Sequence, residues 1–158
     1  MGTRAWTFVA TFAGSALAGQ AQAQRPDFDD PAWCRGLRAA VAAAGEEPPF
    51  GSLAANPPNL GFRWPCTLRG DGAARALLCS QYAGFTSAPY EELLRYVATC
   101  LHDMARSAEE RAPGYPHRIG FQTRFRSDDA SVLVGQTGMW TRRGIDLFVT
   151  IERGSGRN

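Results

Sequence analysis

The sequence predicts an α+β fold, two helices packed on one face of a five-stranded antiparallel sheet in the order helix, hairpin, helix, three-stranded meander. Three observations carry this. Two stretches repeat apolar residues at helical spacing, others alternate with period two, and the four cysteines fall one on each helix and two opposite each other in the hairpin. At 158 residues, 44% hydrophobic and 20% charged, the chain is the size of one globular domain and too apolar for disorder. No strict glycine period, sustained heptad or long apolar run appears, which excludes collagen-like, coiled-coil and multi-pass membrane classes.

Residues 1–23 read as an export signal. Arg4 is their only charge, an Ala-rich apolar stretch runs from Ala5 to about Ala18, and Ala21-Gln22-Ala23 supplies a small-x-small cleavage pattern. That stretch is too short to span a hydrocarbon core of roughly 30 Å. The expected mature chain therefore starts at Gln24, is soluble without stable membrane insertion, and lies in the periplasm or outside a bacterial cell. Residues 24–153 form a single domain on this reading, and 154–158 a polar tail.

The first helix covers residues 30–44. Asp30 caps it, Pro31 suits its first turn, and Trp33, Cys34, Leu37, Val41 and Ala44 share a face until Gly45. Residues 45–61 carry the pairs Pro48-Pro49 and Pro57-Pro58, a density of breakers that neither helix nor central strand tolerates. They read as a strap whose Phe50, Leu53 and Leu60 pack over the core edge. Around the turn Asp71-Gly72-Ala73-Ala74 a hairpin pairs Gly70 with Arg75, which sets Leu68 opposite Leu77 and Cys66 opposite Cys79 on one face. Arg63, Thr67, Arg69, Ser80 and Tyr82 occupy the other.

A second helix is expected from about Pro89 to Arg106, with the stripe Tyr90, Leu93, Leu94, Val97, Cys100, Leu101 and Met104. With Cys66 and Cys79 joined in the hairpin, Cys34 and Cys100 remain to clamp the helices; of three connectivities, only the hairpin register favours this one. Residues 107–116 look irregular. In strand 118–126 Ile119, Phe121, Thr123 and Phe125 face one side and Arg118, Gln122, Arg124 and Arg126 the other. Strands 131–141 and 145–152 complete the meander, joined through Arg142-Arg143-Gly144.

Charge limits the function. The 17 basic residues are all Arg against 15 acidic ones, so the chain is nearly neutral and has no global attraction to nucleic acid or membrane. Absence of Lys excludes Schiff-base and pyridoxal-phosphate chemistry, a P-loop and a Ser-x-x-Lys nucleophile. No metal site or cofactor is read. His102 and His117 are the only histidines, with no His-x-x-x-His or Cys-x-x-Cys spacing, and His102 falls on the wet side of its helix, away from Cys100. The pairs Glu46-Glu47, Glu91-Glu92 and Glu109-Glu110 are the material for an alternative, a small periplasmic hydrolase using carboxylates. Adjacent glutamates are more often a solvated face or a helix start.

The preferred reading is a non-catalytic exported binding domain. Arg118, Arg124 and Arg126, with Arg142 and Arg143 at a hairpin tip and Trp140 beside them, form a face able to hold carboxylates or phosphates of a partner protein or anionic envelope component. The competing reading is an ordinary wet sheet face. Protein recovered from the periplasm or medium should give an N-terminal sequence starting at Gln24; an intact Met1 in a membrane pellet would refute the signal.

Overall fold

A computed structural model describes residues 30–84, 88–111, 118–139 and 145–155; the proposed signal and the Arg142-Arg143 hairpin tip lie outside them. It is an α+β fold with two helices, α1 (Pro31–Ala44) and α2 (Ala88–Cys100), packed with a seven-stranded antiparallel sheet. The strands are β1 (Thr67–Arg69), β2 (Ala76–Gly84), β3 (Ala105–Arg106), β4 (Glu110–Arg111), β5 (Arg118–Arg126), β6 (Ala130–Met139) and β7 (Ile145–Arg153). Their order is β1-β2-β7-β6-β5-β3, with β4 also on β5. The last strand therefore lies between the hairpin and the rest of the meander.

α1 forms as its sequence dictates. The Asp30 carboxylate accepts a hydrogen bond from the Ala32 amide at 2.7 Å, and Leu37, Ala40, Ala43 and Ala44 are buried. The following strap is anchored at both ends. The Phe50 amide donates to the Ala43 carbonyl (2.7 Å), and the Trp33 indole N–H donates to the Leu60 carbonyl (2.6 Å). Phe50 adopts φ 58°, a left-handed conformation costing a non-glycine residue about 1–2 kcal/mol. Its ring is wholly buried, and burial of a Phe side chain returns about 1.5–3 kcal/mol, enough to hold the strained backbone. Leu60 is buried too, with Leu53 packed against the same core, as a strap requires.

The hairpin has the expected register, with Leu68 opposite Leu77 and Thr67 opposite Leu78. Gly70, at φ 76°, is required at the turn, since a Cβ there would stand 2.7 Å from the Ala74 carbonyl oxygen. Both disulfides are present, Cys66 to Cys79 with Cα atoms 4.3 Å apart and Cys34 to Cys100 at 5.5 Å.

Two expectations need correction. The second helix stops at Cys100 rather than running to Arg106, and the sheet has seven strands rather than five. One cause accounts for both. Without a neighbour, the free edge of β5 would leave a row of backbone donors and acceptors unpaired, and residues 105–111 supply that neighbour. Ala105 and Arg106 pair with Arg126 and Phe125, then Glu110 and Arg111 with Gln122 and Phe121, so residues 107–109 face only 123–124. This one-residue surplus is a β-bulge. Ser107 closes it, its amide donating to the Arg124 carbonyl (2.8 Å) while its hydroxyl accepts from the Arg124 amide (3.1 Å).

The core lies between the helical stripes and one face of the sheet. Leu77, Cys79, Leu147, Val149, Ile151, Val132, Val134 and Phe125 meet Leu37, Leu93 and Val97 in a single cluster. The alternate face is less polar than expected. Ser80 and Arg126 are exposed, but Leu78, Leu133 and Phe148 are half-buried there and Gly135 is buried. The Phe148 ring lies over Gly135, where a Cβ would come within 2.2 Å of the ring tip.

The two disulfides should differ in weight. On the chain-entropy model the short loop, with a separation of 13 residues, is worth about 3 kcal/mol and the long one, at 66, about 4 kcal/mol. Thermal unfolding of Cys34→Ala/Cys100→Ala should therefore show a larger loss than Cys66→Ala/Cys79→Ala.

Candidate functional site

The predicted arginines divide by position. Arg124 reaches along the outer face to the Ser131 hydroxyl (2.8 Å) and the Glu152 carboxylate (3.4 Å), with 27% of its side chain exposed. Its charge is thus already shared with an internal partner. Arg126, at the end of β5, is exposed and pairs in register with Ser131 and Ala105. Arg118 opens β5 opposite Met139, but its side chain lies outside the described residues. Trp140, Arg142 and Arg143 also lie outside them.

Register gives the outer face its composition. One row across the strands runs Thr67, Leu78, Thr150, Leu133, Arg124; the next runs Ser80, Phe148, Gly135, Gln122. Ala76, Glu152, Ser131 and Arg126 border them on one side, and Tyr82, Asp146 and Thr137 on the other. The result is an apolar strip of Leu78, Leu133 and Phe148 framed by hydroxyls and by charges of both signs. Strand order makes the strip: Phe148 on β7 lies diagonal to Leu78 on β2 and to Leu133 on β6, with Thr150 between the two leucines.

The carboxylates are dispersed. Glu46 turns back on the strap, accepting from the Ser52 hydroxyl (2.6 Å) and the Ser52 amide (2.8 Å). These bonds, the hydroxyl first, hold its carboxyl below the ordinary value of 4.5 against a smaller opposing effect of burial. Its neighbour Glu47 pairs instead with Arg153 at 3.0 Å. A carboxylate held ionised in this way is a poor proton donor, the opposite of what a general acid needs.

Among the described residues, two grooves beside the helices stand out. The larger, about 590 Å³, is lined by Arg38, Glu46, Leu101, Asp103, Met104 and Asp129. At its side Arg38 stands 3.7 Å from the Asp103 carboxylate and 3.3 Å from Nδ1 of His102, an exposed side chain in the turn that follows α2 rather than on the wet side of a helix. The smaller groove, about 410 Å³, runs between α2 and the bulged edge, with Tyr90 at its base and Arg95, Arg106, Glu91 and Glu109 around it. Burial is the main reason the Tyr90 phenol is pushed up, with Glu109 adding to it; the Thr123 hydroxyl, 3.1 Å away, works the other way. A phenol so placed remains protonated and serves as a buried hydrogen-bonding group.

Among the described residues no three or more His, Cys, Asp or Glu side chains converge as a metal site, and no helix is long and apolar enough to cross a membrane. No protein-family model matches the chain, and no curated protein matches it in sequence.

Among the described residues two large hydrophobic side chains are exposed, Trp64 and Tyr82. From the sequence Trp64 reads as a core or rim residue; its exposure goes with its place in the irregular segment before β1, outside any helical or strand stripe.

The Glu46 contacts predict a pH dependence. A depressed carboxylate contributes stability above its ordinary pKa and loses it as pH falls through the folded value. Glu46→Gln should therefore melt below wild type at neutral pH, with the difference shrinking as pH drops below 4.5. Melting curves across that range would show an unchanged gap if the Ser52 contacts did not act.

Proposed function

We propose that this chain is an exported, non-catalytic binding domain that recognises a partner protein through the outer face of its sheet. The observation that carries the reading is the strip of Leu78, Leu133 and Phe148, half-buried side chains on a face whose alternate side already forms the core. With both helices on the core side, this strip is left for a partner. Its charged border gives specificity: Arg126 offers an exposed guanidinium for a carboxylate, while Glu152 and Asp146 discourage uniformly acidic partners.

Export is supported by the two disulfides, which persist in oxidising compartments, and by the apolar N-terminal stretch with its Ala21-x-Ala23 pattern. The arginine face remains part of the proposal in altered form. Arg124, tied to Ser131 and Glu152, holds the surface in shape, and Arg126 is the better candidate for contact with the partner. Arg124→Glu would place a second carboxylate beside Glu152 and would test packing rather than binding.

A photo-crosslinking side chain at Leu133 or Thr137 should capture a defined partner in intact cells, whereas one at exposed Ala39 on α1 should not. Arg126→Glu should reduce that capture, and raised salt should weaken it, with stability changed by less than about 0.5 kcal/mol. Equal capture from α1 and the sheet would refute the assignment.

A further inference from the structure

The two grooves beside the helices differ in how their charges are used. In the larger one Arg38 meets Asp103, and Glu46 is bound by Ser52. The smaller one is lined by two acids and two bases, Glu91 and Glu109 with Arg95 and Arg106, all four exposed and none in an ion pair among the described residues. Equal charge of both signs is thus left facing water in one groove.

Local structure explains why these groups do not neutralise one another. Glu91 and Arg95 stand one turn apart on α2, a spacing at which opposite charges can pair, yet the Arg95 guanidinium lies over the Tyr96 ring at 5.0 Å. Arg106 on β3 lies over the ring of its register partner Phe125 at 6.0 Å. Ring contacts hold an arginine in place without cancelling its charge, and they leave guanidinium N–H groups for a carboxylate. Glu109 sits in the bulge between β3 and β4, and Tyr90 lies at the base of the groove. Burial is the main cause that raises the Tyr90 phenol, but Glu109 acts in the same sense and Arg106 in the opposite one, so both charges stand close to one buried hydroxyl.

This charge set selects its ligand. A polyamine or a phosphate would be repelled by half of it, whereas a molecule carrying both an ammonium and a carboxylate can meet an opposite charge with each. Leu94 and Ala98 add an apolar wall on α2 for a hydrocarbon side chain. At about 410 Å³ the groove falls among small-molecule sites, which run to roughly 300–1,000 Å³. We infer that it binds a short zwitterionic peptide, the size of a dipeptide, with the carboxylate held by Arg95 and Arg106 and the ammonium by Glu91 and Glu109. The site lies on the helix side of the sheet, since Arg106 shares the face of the core residue Phe125, and it is therefore separate from the outer strip.

The test uses the mature, disulfide-intact protein and titration calorimetry with leucyl-leucine, its N-acetyl form and its C-terminal amide. The free dipeptide should bind saturably, and blocking either end should weaken binding at least about tenfold, because each block removes one charge-assisted contact. Arg106→Gln should weaken the free dipeptide and leave the already weaker amide unchanged. Glu109→Gln should weaken the free dipeptide and leave the N-acetyl form unchanged. Both side chains are exposed, so the melting temperature of each variant should stay close to wild type. No saturable binding of the free dipeptide, or binding unchanged in both variants, would overturn the site. An N-acetyl form as tight as the free dipeptide would show an anion site, an equally tight amide a cation site, and either result would overturn the zwitterionic ligand.

Discussion

The ladder between β2 and β7 is the contact on which the rest of the structure depends. It pairs Ala76 with Glu152 and continues to Gly84 and Ile145, joining the first hairpin to the last strand. Without it, β1 and β2 would be an isolated two-stranded hairpin, which is at best marginal in water, and β7 would be an open edge. Closing so long a segment carries an entropic cost that grows only logarithmically with length, so one well-buried ladder can meet it. Leu77, Cys79, Val149 and Ile151, each fully buried, provide that burial on the core side. The Cys34 to Cys100 bridge acts on the same problem from the helices, restricting the unfolded chain between the hairpin's two flanks.

Polar groups enter this core under strict conditions. Thr123 is fully buried and meets the Tyr90 hydroxyl, and Gln81 accepts from the Arg63 amide. Each contact ties an element outside the sheet ladder, α2 in one case and the segment between the strap and β1 in the other, to a definite strand position. A leucine at either place would pack, but it would fix neither neighbour in register. Gln136 departs from the pattern, being buried with a side-chain oxygen that has no hydrogen-bond partner among the described residues.

The sequence was most legible where the determinants are local. Asp30, Pro31 and the apolar stripe define α1, and the hairpin register follows from one turn and two opposed pairs, Leu68 with Leu77 and Cys66 with Cys79. β3 and β4 left no trace because a two-residue strand has no period, and Glu109-Glu110-Arg111 reads equally well as a solvated loop. Met104 extends the helical stripe past Cys100, which conceals where α2 ends. Among the candidate site residues, alternation placed Arg124 on the outer face. It could not show that Ser131 and Glu152, on two other strands, would take up its guanidinium, because that depends on strand order.

The same topology leaves the faces of the sheet, rather than its strand edges, open to contact. One edge ends in the three-residue β1, and the other is covered by a bulged pair of two-residue strands. Short and bulged edges offer little template for an added strand, which protects against aggregation and also removes β-augmentation as a binding mode. What remains available on the sheet is side-chain chemistry, and one of the two glycines in β6 shapes it. Gly135 lets the Phe148 ring lie down over the strand, so the apolar strip is low and broad rather than ridged. A residue with a Cβ at that position would lift the ring into solvent. The breadth of the surface proposed for a partner thus rests on one position where the sheet gives up its own side chain, in the middle of strands that otherwise use every second residue for the core.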